Sequence, residues 1–190
     1  MLTTIAEEIM KDVSHWVGNY ENILDEAGCK SIMNYPWSWQ PSTYSNDAGI
    51  IEKSDERVRM DECWCIKEDR PYPLLKKSVI EVMNIYAQEH ERFSCIHHTD
   101  FRLNKYGISG FMSSHVDNIH HSHGQSYGYP QCSVLLFLND DYDGGEFIIA
   151  DKKYETKKGS AIIFPSNFMF PHEVKEVTKG ERWSVVTWVM

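Results

Sequence analysis

The sequence is short of basic residues, and those it has are dispersed. Its 19 Lys and Arg stand against 28 Asp and Glu, for a net charge of −9. No cluster offers the electrostatic footprint that holds a phosphate backbone, which disfavours a nucleic-acid partner. Long apolar runs are also missing: none approaches the ~20 residues needed to cross a bilayer, so no membrane partner is expected. The opening MLTTIAEEIMKDV sets acids inside its apolar stretch, carries no basic leader and does not read as a secretory signal. The five cysteines (Cys29, Cys63, Cys65, Cys95, Cys132) include no CxxC pair. An odd, dispersed set suits the reduced thiols of a cytoplasm better than a disulfide frame. Cys63 and Cys65 flank a Trp at strand spacing and read as structural. Repeats, low-complexity stretches and linkers are lacking as well, so the 190 residues, 42% of them apolar, are expected to form one domain.

What is present divides at about residue 95. Before it, Thr4 and Glu7 make a capping box, and Ile5, Ile9, Val13 and Trp16 form a stripe that predicts a helix over 4–17, ending at Gly18. A second helix is expected from about Pro73 to Glu91, with Leu75, Val79, Val82, Met83 and Tyr86 on one face and Pro in the first turn. Between them Val58, Met60, Trp64 and Ile66 alternate with polar neighbours as in a strand. After residue 95 come short strands separated by turn signals: FRLNKY, FMSSHVD, CSVLLFL, EFIIA, SAIIF and RWSVVTWV. That spacing describes a β-sandwich or barrel. VLLFL and AIIF are unbroken apolar runs, so those strands should be covered by the opposing sheet on one face and by the helices on the other. Residues 1–95 are then support, and 96–190 carry the chemistry.

Between His115 and His123 lie four histidines and one aspartate. His115 and Asp117 are two apart in a strand, so their side chains leave the same face and can converge on one ion. His120, His121 and His123 fall in a polar, Gly-containing loop and read as solvated, with a lid over substrate as the functional alternative. Far along the chain His172 opens a strand, and Arg182 begins the next, sharing its face with Ser184, Val186 and Trp188. A guanidinium entering an apolar barrel needs a partner, and its fork matches a carboxylate. No acid lies on that face of the strand, so the carboxylate is expected from a ligand. Two His and one carboxylate with open positions are the donor set of non-heme Fe(II) oxygenases, whereas a third nitrogen ligand would suggest closed zinc coordination. Asp140, Asp141 and Asp143 read as a solvated hairpin rather than a Ca²⁺ site, and His97 and His98 as structural.

KYGISGFMSSHVDN, SVLLFLNDDYDGGEF, KGSAIIFPSNFMFPHEV and GERWSVVTWV, in that order, resemble the Fe(II)/2-oxoglutarate-dependent dioxygenases of the prolyl 4-hydroxylase-like branch over residues 101–190. The resemblance implies a mainly β fold with supporting α, a double-stranded β-helix (jelly roll) with N-terminal helices on one sheet. It implies His115, Asp117 and His172 as iron ligands and catalytic residues, Arg182 and Tyr106 as 2-oxoglutarate contacts, and Trp188 beside the substrate. Arg102, Asn104 and Tyr106 share one face of FRLNKY, an unusually polar set for a core. GGE at 144–146 looks like a structural turn into the next strand.

The activity implied is hydroxylation of an unactivated C–H bond, using Fe(II), 2-oxoglutarate and O₂, with ascorbate as a candidate addition. The substrate implied is a proline-containing peptide or protein, with a free amino acid or other small molecule as the alternative. A demethylase of alkylated nucleic acid would carry a second Arg where Trp188 stands. Collagen-type relatives often carry Lys at the position of Arg182, and HHSH is outside the family motif, so neither feature names the substrate. Rival classes are a non-catalytic jelly-roll module binding metal or peptide, and a zinc-dependent hydrolase. The sequence leaves the oligomeric state open.

Overall fold

A strand made only of apolar residues must be covered on both faces, and that requirement organises this chain. The computed structural model describes residues 12–45, 51–52, 56–117 and 129–190. In chain order its strands are β1 (Gly18–Tyr20), β2 (Gln40–Pro41), β3 (Tyr44–Ser45), β4 (Ile51–Glu52), β5 (Val58–Arg59), β6 (Asp61–Cys65), β7 (Phe101–Tyr106) and β8 (Phe111–His115). There follow β9 (Cys132–Phe137), β10 (Asp143–Gly144), β11 (Phe147–Ile149), β12 (Lys152–Tyr154), β13 (Ala161–Pro165), β14 (His172–Val174), β15 (Val177–Lys179) and β16 (Arg182–Val189). Two α-helices, α1 (Glu26–Met33) and α2 (Tyr72–Glu89), lie between these strands in sequence.

Seven strands form the larger sheet in the order β1-β13-β9-β16-β7-β6-β2, and five form the smaller in the order β12-β11-β14-β8-β5. The result is a jelly roll with helices packed on one sheet, as the family resemblance implies and in keeping with the sandwich or barrel read from the strand pattern. Period-2 alternation splits each central strand between two cores. On β9, Val134 and Leu136 join the core beneath the helices, while Leu135 and Phe137 point between the sheets. On β13, Ala161 and Ile163 take the helix side and Ile162 and Phe164 the inner side. α2 covers the first core with Leu75, Val79, Val82, Met83 and Tyr86, all buried, each contributing roughly 1.5–3 kcal/mol on full burial.

Three features of the first 95 residues differ from expectation. Asp12 has ψ 131°, outside the helical region, and accepts from the Ser14 amide. No helix can therefore run through it: Val13–Trp16 is a 3₁₀ turn and Gly18 already pairs with Ile163. The rest of the 4–17 expectation, residues 4–11, lies outside the described residues. The sequence pattern missed α1, which is only eight residues long and starts where the Asp25 carboxylate accepts the Gly28 amide at 2.7 Å. The segment from Val58 to Ile66 is two strands, one in each sheet. Val58 and Met60 are buried between the sheets, whereas Trp64 and Ile66 reach the rim and are exposed. Residues 18–65 thus add strands to both sheets as well as support. Cys63 and Cys65 lie buried under the helices, and all five cysteines are free thiols.

Candidate metal centre and barrel interior

β14 runs antiparallel to β8 with His172 directly opposite His115, and a register irregularity follows between His172 and Val174. Asp117 lies two residues beyond His115, just past the end of β8. The three side chains converge: Asp117 Oδ1 is 3.5 Å from His115 Nε2, and Oδ2 is 3.5 Å from His172 Nε2. All three donor atoms lie within 4.8 Å of one another, the one such grouping of three or more among the described residues. Both imidazoles are oriented by the backbone. Nδ1 of His115 is 2.9 Å from the Ser113 carbonyl, and Nδ1 of His172 is 3.2 Å from that of Phe170. A carbonyl can only accept, so each ring carries its proton on Nδ1 and turns an Nε2 lone pair toward the cluster.

Protonation states favour a cation. Burial pushes His172 down to about 4, keeping it a neutral donor. Burial pushes the Asp117 carboxyl up, but His172, His115 and the Ser133 hydroxyl outweigh it and hold the group below the usual carboxylate range. Ser133, on β9, donates to Asp117 Oδ2 at 2.6 Å and pairs with the Ser166 hydroxyl at 2.8 Å. One carboxylate and two imidazole nitrogens suit a divalent ion with positions left open.

The interior continues away from this cluster along β7 and β16. Arg182 sits opposite Tyr106 across the two strands, is fully buried, and places its guanidinium 5.2 Å from the Tyr106 ring and 5.3 Å from Phe137. Nη1 reaches Ser184 at 3.2 Å, but Nε and Nη2 have no hydrogen-bond partner among the described residues. Among the described residues the Tyr106 hydroxyl meets a weak acceptor, Met112 Sδ, at 4.0 Å, and burial raises its pKa. Gly145, at φ +63°, makes room beside the guanidinium: a Cβ there would come within 3.0 Å of Arg182 Cδ. A buried cation without a carboxylate is costly, so these donors fit a ligand that brings one.

Residues 101–190 match the sequence model of the 2OG-Fe(II) oxygenase superfamily. That stretch, just under half of the chain, is similar to the superfamily. Among curated relatives it is 41% identical over 70 residues to mouse prolyl 3-hydroxylase 2, covering 33% of this chain and 10% of that one. It is 40% identical over 92 residues to a PKHD-type hydroxylase of Psychrobacter sp. (strain PRwf-1), covering 44% and 35%. The chain therefore spans well under half the length of these relatives. Among solved structures, a Pseudomonas putida prolyl-4-hydroxylase superposes with a TM-score of 0.68 at 16% identity, over 100% of this chain and 98% of that one. The viral collagen prolyl hydroxylase of Paramecium bursaria Chlorella virus-1, in its 2OG complex, gives 0.65 at 17% identity over 92% and 95%. At these identities the likeness is one of fold.

The structure brings His115, Asp117 and His172 together, with Arg182 and Tyr106 as cross-strand neighbours deeper in the same interior. Trp188 is buried between the sheets opposite Ser133, the residue bonded to Asp117. His120, His121 and His123 lie outside the described residues. His98 stacks on Phe101 with centroids 5.2 Å apart. The acidic hairpin is engaged locally: Asp143 pairs with Lys179, Asp141 accepts from Asn139, and Asp140 accepts the Lys158 amide. Sequence reasoning missed Ser133, whose signal was a polar residue in phase with inward-facing Leu135 and Phe137. Ser166 had none, because its contact depends on how β13 lies against β9.

Proposed function

We propose that the protein is an Fe(II)- and 2-oxoglutarate-dependent dioxygenase that hydroxylates an unactivated C–H bond, with a prolyl residue of a peptide or protein as its substrate. His115, Asp117 and His172 would hold the iron. When bound, iron couples O₂ and the oxidative decarboxylation of 2-oxoglutarate to hydroxylation, giving succinate, CO₂ and the alcohol. Arg182 anchors the far carboxylate of 2-oxoglutarate through its two unpartnered N–H groups, and the Tyr106 hydroxyl supplies a further donor to it. Asp117 is held in its charged form by Ser133, and the backbone carbonyls keep both imidazole lone pairs aimed at the metal. Phe137 and Phe147 keep water from the Arg182 end, where a dry surrounding strengthens the ionic contact. Trp188 forms one wall of the substrate site.

The observation that carries this reading is the buried, under-satisfied Arg182 inside the same barrel as a two-His, one-carboxylate cluster. A proline substrate is supported by the prolyl hydroxylases among its relatives and fold neighbours, and five free thiols fit a reducing compartment such as the cytoplasm. The test incubates the chain with Fe(II), ascorbate and 2-oxoglutarate against a library of proline peptides and free amino acids, reading succinate and a mass gain of about 16 Da. Peptide products support the reading, and products only from free amino acids replace its substrate. No succinate under any condition makes the protein a binding module. Hydrolysis dependent on added Zn²⁺ would make it a zinc enzyme.

A further inference from the structure

The interior holds a second guanidinium that the proposed chemistry does not use. Arg102, on the same face of β7 as Tyr106, stacks on Trp188 with its Cζ 5.1 Å from the ring centroid. Trp188 lies opposite Ser133, which bonds the Asp117 carboxylate at 2.6 Å, so the stack stands at the metal end of the barrel. Arg102 also acts electrostatically on both His172 and Tyr106. Its Nε has no hydrogen-bond partner among the described residues. The acid paired with it, Glu62, stands 3.8 Å from Nη1, beyond hydrogen-bond distance, and Glu62 Oε2 already accepts the Ser42 hydroxyl at 2.7 Å.

Glu62 therefore balances the charge of Arg102 while leaving its Nε without a hydrogen bond among the described residues. A guanidinium of this kind is costly to hold inside a protein unless something completes its hydrogen bonds. The planar fork, lying over an aromatic ring, can offer its edge to a bidentate partner, and the side chain keeps 14% of its surface open. Arg182 lies at the other end of the inward face of β16, six residues from Trp188 and about 20 Å along an extended strand. One 2-oxoglutarate on the iron cannot occupy both guanidinium groups.

We propose that Arg102 is a specificity residue: it binds a carboxylate of the prime substrate, next to the residue that is hydroxylated, while Trp188 holds the guanidinium in plane. This rests on the oxygenase reading above and narrows its substrate class to proline compounds carrying an acid. The acid has two sources, a C-terminal (or free amino acid) carboxylate or a neighbouring Asp or Glu side chain.

The test uses matched pairs: proline and prolinamide, N-acetyl-Ala-Pro with a free or an amidated C-terminus, and N-acetyl-Ala-Pro-Asp amide with N-acetyl-Ala-Pro-Asn amide. Binding to the full chain loaded with Mn(II) and 2-oxoglutarate is measured by calorimetry, and the +16 Da product is measured separately with Fe(II). In the native protein the acid of at least one pair binds about 10- to 100-fold more tightly than its amide. In Arg102→Met, which keeps the contact with Trp188, that ratio falls to about 1. The pair showing the effect identifies the source of the acid. Equal binding of acids and amides, no binding by any member, or a preference that survives Arg102→Met overturns the proposal. If Arg102→Met fails to fold, the acid–amide comparison in the native chain decides alone. An intact acid preference with no hydroxylated product and no succinate would refute the oxygenase reading and leave the carboxylate site standing.

Discussion

Removing one hydroxyl, in Ser133→Ala, should loosen the metal without touching a ligand. The Ser133 hydroxyl donates to Asp117 Oδ2 at 2.6 Å, within the short range of bonds to an ionised acceptor. Hydrogen bonds to charged groups contribute about 1.5–3 kcal/mol, or roughly 10- to 150-fold in an equilibrium constant, and loss of such outer partners typically weakens metal binding about 10- to 100-fold. The deletion also strands the Ser166 hydroxyl, which pairs with Ser133 at 2.8 Å. An unsatisfied buried group costs about 1–3 kcal/mol, so Tm should fall by several degrees at about 2–4 °C per kcal/mol. The double variant Ser133→Ala/Ser166→Ala leaves no stranded hydroxyl and should recover part of that stability while keeping the weak metal affinity. Mn(II) titration followed by EPR measures the affinity, and a thermal melt in EDTA measures the fold. Unchanged Mn(II) affinity in a folded Ser133→Ala protein would show that Asp117 is held by something else.

Other outcomes follow from the same geometry. His115→Ala should abolish iron-dependent succinate release while His121→Ala leaves it within about a few-fold; equal losses would move the metal into the loop. Arg182→Ala should raise the apparent KM for 2-oxoglutarate far more than that for the prime substrate, and the reverse would make Arg182 a substrate contact. Arg182→Met should instead raise the Tm of the 2-oxoglutarate-free protein, because an apolar isostere replaces an unpaired buried charge, and should abolish stabilisation by 2-oxoglutarate. Gly145→Ala puts a Cβ at φ +63° within 3.0 Å of Arg182 Cδ; a loss of about 1–3 kcal/mol in denaturant unfolding, with weaker 2-oxoglutarate binding, is expected. In iodoacetamide labelling at pH 8, half-buried Cys95 should react first. Cys63 and Cys65 should lag, because burial shields them and pushes both thiols up to about 12; labelling of that pair first would contradict the packing.

The longest, most regular elements were legible in the sequence. FRLNKY and RWSVVTWV coincide with β7 and β16, and the stripe from Leu75 to Tyr86 gives α2 to within two residues at its ends. Their periodicity spans enough residues to outweigh local noise. Strands of two or three residues, such as β10 and β12, show no period, because they exist through pairing with β15 and β11. The C-terminal part of the expected 4–17 helix, from Asp12 on, was misread because a stripe of apolar spacing says nothing of the break at Asp12. Around the centre, the HxD spacing brought out His115 and Asp117, and the buried-charge argument brought out Arg182. Ser166 and Glu62 were invisible because their roles come from contacts with Ser133 and with Ser42 and Arg102, residues distant in sequence.

β16 pairs with both β7 and β9 while its alternate residues serve different cores. Deleting one residue between Arg182 and Trp188 would therefore reverse every side chain on one side of the cut, sending valines from one layer into the other and turning either the arginine or the tryptophan out of the barrel. The strand works as a ruler of fixed parity. Changes of length should therefore be tolerated in its loops, and any engineered insertion in the spine would have to come two residues at a time.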